Sequence, residues 1–373
     1  MTILLAPDKF KGSLTAFEVC RHLEAGIRKV LPQAAVRSFP LADGGDGFAA
    51  TLQHYWHTQT IEVATVDPLG RNIRATYEWD ATTATAIIEL AAASGLVLLQ
   101  PQERNPLHTS TYGTGLQIKH ALERGARHIM LGLGGSATND AGTGLLAALG
   151  FRWLDAHHHE LKPCGENLAR VAFVEPPATL PRVRLTVACD VNNPLYGPNG
   201  AAFVYAPQKG ADAAMVQQLD EGLRHLETIL NRYSNEPVAQ IPGTGAAGGV
   251  VAGLLPWLQP QIHSGIDLLL QASGMEAALP GADLLITGEG RLDSQSLQGK
   301  VVGAVAARGR QYNVPVAAVC GVAAVDTAVL QQAGICSMVQ LLQPGRTVAG
   351  CMARAGVLVS EAAEQLMHAI LKN

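Results

Sequence analysis

The sequence predicts an α/β protein built from two domains, and three observations predict it. Short apolar runs alternate with helix-length stretches at both ends of the chain. A strand-rich segment interrupts that alternation in the middle. The 373 residues are long for one globular unit and comfortable for two. Two apolar strands near the start and three near the end suggest one parallel sheet, so the intervening chain reads as a mixed α/β domain inserted into the first. The expected division is 1–57 plus 271–373 for the parallel-sheet domain and 58–270 for the insertion.

Residues 2–6 form an apolar run that fits a buried strand. Thr15-Ala16-Phe17-Glu18 is a capping-box pattern, opening a helix that runs to about 31, before Pro32. A strand over 36–41 and a helix over 47–56 complete a βαβα unit. Strands then follow at 60–66, 71–78 and 85–91, with Asp67-Pro68-Leu69-Gly70 as the turn between the first two. A helix over 115–124, a strand over 128–133, a helix over 143–149, a strand over 185–189 and a helix over 214–231 continue the chain. The last third returns to regular alternation, with strands at 284–287, 316–319 and 338–342 and helices at 296–312, 327–332 and 347–371. No fixed-period repeat is present.

Hydrophobic residues make up 48% and charged residues 16%, the latter well below the usual fraction of about a quarter. Net charge is -4 and aromatics are 5%, which argues against a nucleic-acid partner. The cysteines Cys20, Cys164, Cys189, Cys320, Cys336 and Cys351 make no C-x-x-C pair and read as small core residues of a reduced, cytoplasmic protein. No apolar run reaches the length of about 18 residues that a membrane span needs, and no basic leader precedes an apolar core, so neither span nor signal peptide is expected.

Ligands of open parallel sheets bind at the carboxyl ends of the strands, and this chain carries polar clusters there. Lys9 and Lys11, with Ser13, follow the first strand and form an anion site at a helix start, or a solvated capped loop. Asp43 and Asp46 stand in Asp-Gly-Gly-Asp-Gly, where carboxylates hold a hard cation, abstract a proton or merely form a turn. Gly134, Gly135, Ser136, Thr138 and Asn139 lie in a glycine-rich loop whose amides make an anion nest. Asp190, Asn192 and Asn193 suit a metal or a general base beside a phosphate. Glu289 stands between two glycines, followed by Arg291 and Asp293. Gly299-Lys300 is not a P-loop, because Ser294 and Val301 occupy positions that motif reserves for Gly and Ser or Thr. The run His157–His159 reads as an exposed turn. Carboxylates, lysines and amide nests without a catalytic His or Cys fit phosphoryl transfer, which needs positioning and charge neutralisation rather than a covalent nucleophile.

These loops together closely resemble the bacterial glycerate kinase type I family. The matching segments are PDKFKGSLTA (7–16), PLADGGDG (40–47), LGGSATNDAG (133–142), CDVNNPLYGPNGA (189–201), PQKGA (207–211), SGID (264–267) and TGEGRLDSQSLQGK (287–300). One departure stands inside them: Ala141, where relatives carry glycine. The resemblance implies a flavodoxin-like domain with the second domain inserted into it and the active site in the interdomain cleft. It implies transfer of the γ-phosphate of ATP to D-glycerate with Mg²⁺, giving 2-phosphoglycerate rather than the 3-phospho isomer. On that reading Asp190 is the general base or a metal ligand, with Asp43 and Asp46 competing for the base. Lys9, Lys11 and Arg291 neutralise phosphate or the glycerate carboxylate, and Ser13 and Asp46 line the substrate side. Gly134, Gly135, Ser136, Thr138, Asn139, Asn192 and Asn193 contact phosphate, and Glu289 and Asp293 hold the metal. A homo-oligomer is left open.

Two rival readings remain at this point. Gly132-x-Gly134-x-x-Ala137 with Asp155 satisfies a loose dinucleotide fingerprint and would make the chain a nicotinamide-dependent oxidoreductase. A two-lobed, non-catalytic binding protein is the other, and it leaves the many carboxylates at strand ends without a task.

Overall fold

The computed structural model describes every residue except Asp46, Gln298 and Asn373. Its contacts divide the chain into two compact units, Met1–Asp43 with Ser264–Asn373, and Gly44–His263. In chain order the strands are β1 (Thr2–Leu5), β2 (Ala35–Ser38), β3 (Gln59–Val66), β4 (Asn72–Asp80), β5 (Thr85–Glu89), β6 (His128–Gly132), β7 (Arg152–Leu154), β8 (Phe173–Glu175), β9 (Arg184–Ala188), β10 (Gln261–His263), β11 (Leu284–Leu292), β12 (Val316–Ala323) and β13 (Ile335–Gln340).

The first unit is one parallel sheet of order β13-β12-β11-β1-β2. Counted within the unit this is 2-1-3-4-5, the flavodoxin-like order. Ile3, Leu4 and Leu5 of β1 are wholly buried, as a central parallel strand covered on both faces requires. The helix Ala16–Val30 starts where the sequence places it. Thr15 Oγ1 accepts from the Glu18 amide at 3.2 Å, and the Thr15 amide donates to Glu18 Oε2 at 2.9 Å. Val19, Leu23 and Ile27 of that helix pack with Leu358, Val359 and Leu366 of the helix Ala355–Leu371 in the core of this unit.

Local boundaries differ from expectation in ways that have causes. β11 does not stop at 287 but runs to Leu292, because Glu289 and Arg291 pair in register with Cys320 and Val322 of an equally extended β12. The glycines around Glu289 disguise strand as loop. The next helix starts at Val301, not 296. The last helix is two pieces, Val348–Ala353 and Ala355–Leu371.

The second unit holds a six-stranded sheet of order β10-β9-β6-β5-β4-β3. β3, β4 and β5 pair antiparallel, and the remaining pairings are parallel. A small hairpin, β7 with β8, lies apart from it. Its core is a continuous cluster that includes Ile88, Ile129, Leu131, Leu145, Trp153, Leu185, Leu223 and Val251. The helix Phe48–Trp56 packs on β4 and β5, and β10 joins β9. The contact division therefore falls after residues 43 and 263, where the sequence expectation set 57 and 270. Among the described residues no helix is long and apolar enough to cross a membrane.

Candidate active site

In the first unit the chain leaves β1 through Pro7 and Asp8, and the Asp8 amide donates to the Gly288 carbonyl at 2.8 Å. That bond sets Asp8 beside Glu289 of the neighbouring strand. Asp8 is 9% exposed and its carboxylate accepts from the Lys9 amide at 2.6 Å. Burial pushes the Asp8 carboxyl up to about 7; Asp43 adds to the rise, and Lys9 and Lys300 oppose it. Burial likewise pushes Glu289 up to about 7, opposed by Ser296 and Lys300 and reinforced by Asp8 and Asp293. Glu289 Oε1 is buried without a hydrogen-bond partner. Two carboxyls raised by burial thus lie close enough to reinforce one another.

Among the described residues no group of three or more His, Cys, Asp or Glu side chains forms a ready metal cage. Magnesium does not need one, since it is usually held by one or two carboxylates with waters and substrate phosphates. The orphaned Glu289 oxygen beside the buried Asp8 fits that donor set. Asp293 is half engaged already: its Oδ1 accepts from the amides of Gln295 and Ser296 at 3.0 and 3.3 Å, closing a turn. Arg291 is exposed and lies 3.7 Å from Asp293. Lys11 is exposed, and Ser13 Oγ donates to the Phe10 carbonyl at 3.0 Å. Because Phe10 bridges back to Leu14 and Thr15 is the cap, Lys9 and Lys11 stand in a turn ahead of the helix rather than on its first amides.

In the second unit three loops converge at the carboxyl ends of β6 and β9. The Gly44 amide donates to Asp190 Oδ2 at 2.6 Å, and the Gly134 amide to the Gly44 carbonyl at 3.4 Å. A Cβ on Gly134 would stand 2.1 Å from Gly45 Cα, so only glycine lets the loops meet. Gly134 and Ser136 are half-buried and Gly135 is exposed. Asp46 lies outside the described residues.

Thr138 and Asn139 are wholly buried. Both polar atoms of the Asn139 side chain are unpartnered, and the Thr138 carbonyl faces inward to Lys209. Asp140 is equally buried and accepts from Thr111 N and Oγ1 at 2.7 and 2.8 Å and from the amides of Gly142 and Gly144 at 3.2 Å. It staples the loop to the helix Thr143–Ala148. Ala141 adopts φ 49°, the left-handed region, which explains why glycine suits that position. Asn192 is exposed, while the Asn193 amide is spent on Tyr205 and Asn199 at 2.6 and 2.9 Å.

Sequence reasoning missed Asp8, Lys300 and Lys209. Asp8 stood in the same Pro-Asp-Lys run as Lys9, and Lys209 in the PQKGA segment, but nothing in either run announces burial. The dinucleotide fingerprint does not survive. A long irregular loop, not a tight turn, separates β6 from the next helix, and Asp155 accepts from the amides of His157 and His159 at 2.8 and 2.9 Å as a turn-former. His157–His159 is exposed, as expected, with His158 stacked on Phe173 at 4.5 Å.

The chain matches the profile of the glycerate kinase family over residues 3–371. It is 44% identical to the glycerate kinase of Halalkalibacterium halodurans, covering 86% of this chain and 85% of that one. It is 40% identical to the glycerate 2-kinase of Escherichia coli, covering 92% and 91%. A crystal structure from Salmonella typhimurium LT2, provisionally named glycerate kinase 2, superposes with a TM-score of 0.84 at 38% identity, covering 100% of this chain and 98% of that one. A family match over residues 3–371, relatives at 40–44% identity and the same fold together make this chain a member of the glycerate kinase family, and so an ATP-dependent kinase.

Proposed function

We propose that the chain transfers the γ-phosphoryl group of ATP to the 2-hydroxyl of D-glycerate, giving 2-phosphoglycerate and ADP. The regiochemistry draws support from the 40%-identical relative named glycerate 2-kinase. The observation that carries the chemistry is the pair of Asp8, buried just beyond β1, and Glu289, half-buried in the neighbouring parallel strand β11, under the influence of Lys300.

Phosphoryl transfer asks a protein mainly to position its reactants and neutralise charge. Glu289 and Asp293, with Asp8 added to them, would hold Mg²⁺, which when bound supplies charge neutralisation at the phosphate oxygens. Lys9, Lys11 and Arg291 would offset the remaining negative charge on phosphate or on the glycerate carboxylate. Gly134, Gly135 and Ser136 would bind phosphate through amides and one hydroxyl. Asp190, aimed by the Gly44 amide, would take the proton from the acceptor hydroxyl, with Asp43 and Asp46 as the other candidates. Ser13 would contact the substrate, and Asn192 and Asn193 the phosphates. The reading includes one domain inserted in the chain of the other. It also places the enzyme in the cytoplasm, acting on small molecules, with a homo-oligomer allowed.

The product identifies the reaction directly. In proton-coupled phosphorus NMR, 2-phosphoglycerate gives a doublet from its single neighbouring proton and 3-phosphoglycerate a triplet from its two. We expect a doublet that appears only with ATP, Mg²⁺ and D-glycerate together. A triplet would overturn the regiochemistry, and reduction of NAD⁺ or NADP⁺ in place of ADP release would overturn the reaction class.

A further inference from the structure

Lys209 is the most deeply buried cation of the second unit, 2% exposed, at the end of the short turn Pro207–Lys209. An ammonium seldom sits so deep unless its donors are spent on fixed acceptors. Here Nζ donates to Ser136 Oγ at 3.0 Å and to the Thr138 carbonyl at 2.6 Å. The Thr138 amide also donates to Ser136 Oγ, at 3.3 Å. Ser136 Oγ therefore already accepts two bonds, and its own proton has only long contacts inside the loop, 3.3 Å to the Thr138 carbonyl and 3.4 Å to Thr138 Oγ1. A hydroxyl that accepts from a cation is polarised into a better donor, and a saturated oxygen has its proton to give outward. Ser136 itself is half-buried, so that proton can reach a ligand, whereas Lys209 cannot.

We infer that Lys209 is a positioning residue for phosphate: acting through Ser136, it fixes the loop from Gly134 to Thr138 and turns the Ser136 hydroxyl into a donor for an anionic oxygen of the nucleotide. This rests on the assignment of that loop to phosphate. Burial of the amine also holds Lys209 down to about 7, opposed by the charge of Asp140. Lys209 touches no substrate; the effect travels through one oxygen.

The test is a double-mutant cycle of Lys209→Met and Ser136→Ala, reading KM for ATP, KM for glycerate and kcat. Ser136→Ala should raise KM for ATP roughly tenfold, the size expected for losing a bond to a charged group, with little change in KM for glycerate. Lys209→Met should do the same, and the double variant should be no worse than either single one. If Ser136→Ala leaves KM for ATP unchanged, the phosphate assignment of the loop fails. If Ser136→Ala raises it but Lys209→Met does not, or the two effects multiply, the loop assignment stands and the role of Lys209 fails. A loss in Lys209→Met spread over both substrates and kcat would mark a purely structural lysine and also overturn the inference. Lys209→Gln, which keeps a donor without charge, replaces Lys209→Met in the cycle with the same expected outcomes if the methionine variant does not fold.

Discussion

Glu289 and Asp8 show how burial converts ordinary carboxyls into a demand for a cation. Their folded values, about 7, lie above the ordinary 4.5 and 3.8. The folded protein thus holds extra protons between about pH 4 and about 7, and its stability falls as pH rises through that window, levelling off above it. Glu289→Gln removes one charge that must be buried at high pH. We expect the variant to melt at a higher temperature than the parent at pH 8 without Mg²⁺, and the difference to vanish near pH 4. Thermal melting with and without millimolar Mg²⁺ checks this: Mg²⁺ should raise the melting temperature of the parent more than that of the variant, while turnover of the variant falls about a hundredfold. An unchanged pH slope would remove the burial argument. The sequence showed Glu289 because its flanking glycines are conspicuous. It hid Asp8, because burial is decided by which strand lies next to β1, and that neighbour arrives nearly the whole chain later.

Elements position these residues by register and close approach. The strand alternation at both ends of the chain, the capping box at Thr15 and the antiparallel middle were all legible, since each rests on local periodicity or on a motif with a mechanism. The extension of β11 through Glu289 was not, because its partner β12 supplies the pairing. The second-unit loops were legible as glycine-rich, but which of their side chains face inward was not. Asn139 and Thr138 read as ligand contacts, and nothing local in the sequence shows that both are wholly buried. Gly134 is the element-scale test. Gly134→Ala would force the Gly45 turn away from the loop and with it Gly44, which aims Asp190. Displacements near one ångström cost on the order of 100-fold in rate. We expect a loss of that size with circular dichroism unchanged; full activity would show that the approach of the two loops is incidental.

At the scale of the whole molecule, membership of the family rests on nearly the full length of the chain. The family was legible from the order of seven matched segments, a long-range pattern that survives where single motifs are too common to decide. The compact units divide after residues 43 and 263 because the helix Phe48–Trp56 packs on β4 and β5 and Gln261–His263 pairs with β9, an order the sequence does not display.

The claim that Asp190 is the base of a glycerate-dependent phosphoryl transfer is tested most directly by glycerate-dependent ADP release from the parent and from Asp190→Asn. The account predicts that the parent releases ADP only with D-glycerate present and that the substitution slows it by about 100-fold or more, the usual contribution of a positioned base. Near-full turnover by Asp190→Asn, or ADP release independent of glycerate, would contradict it.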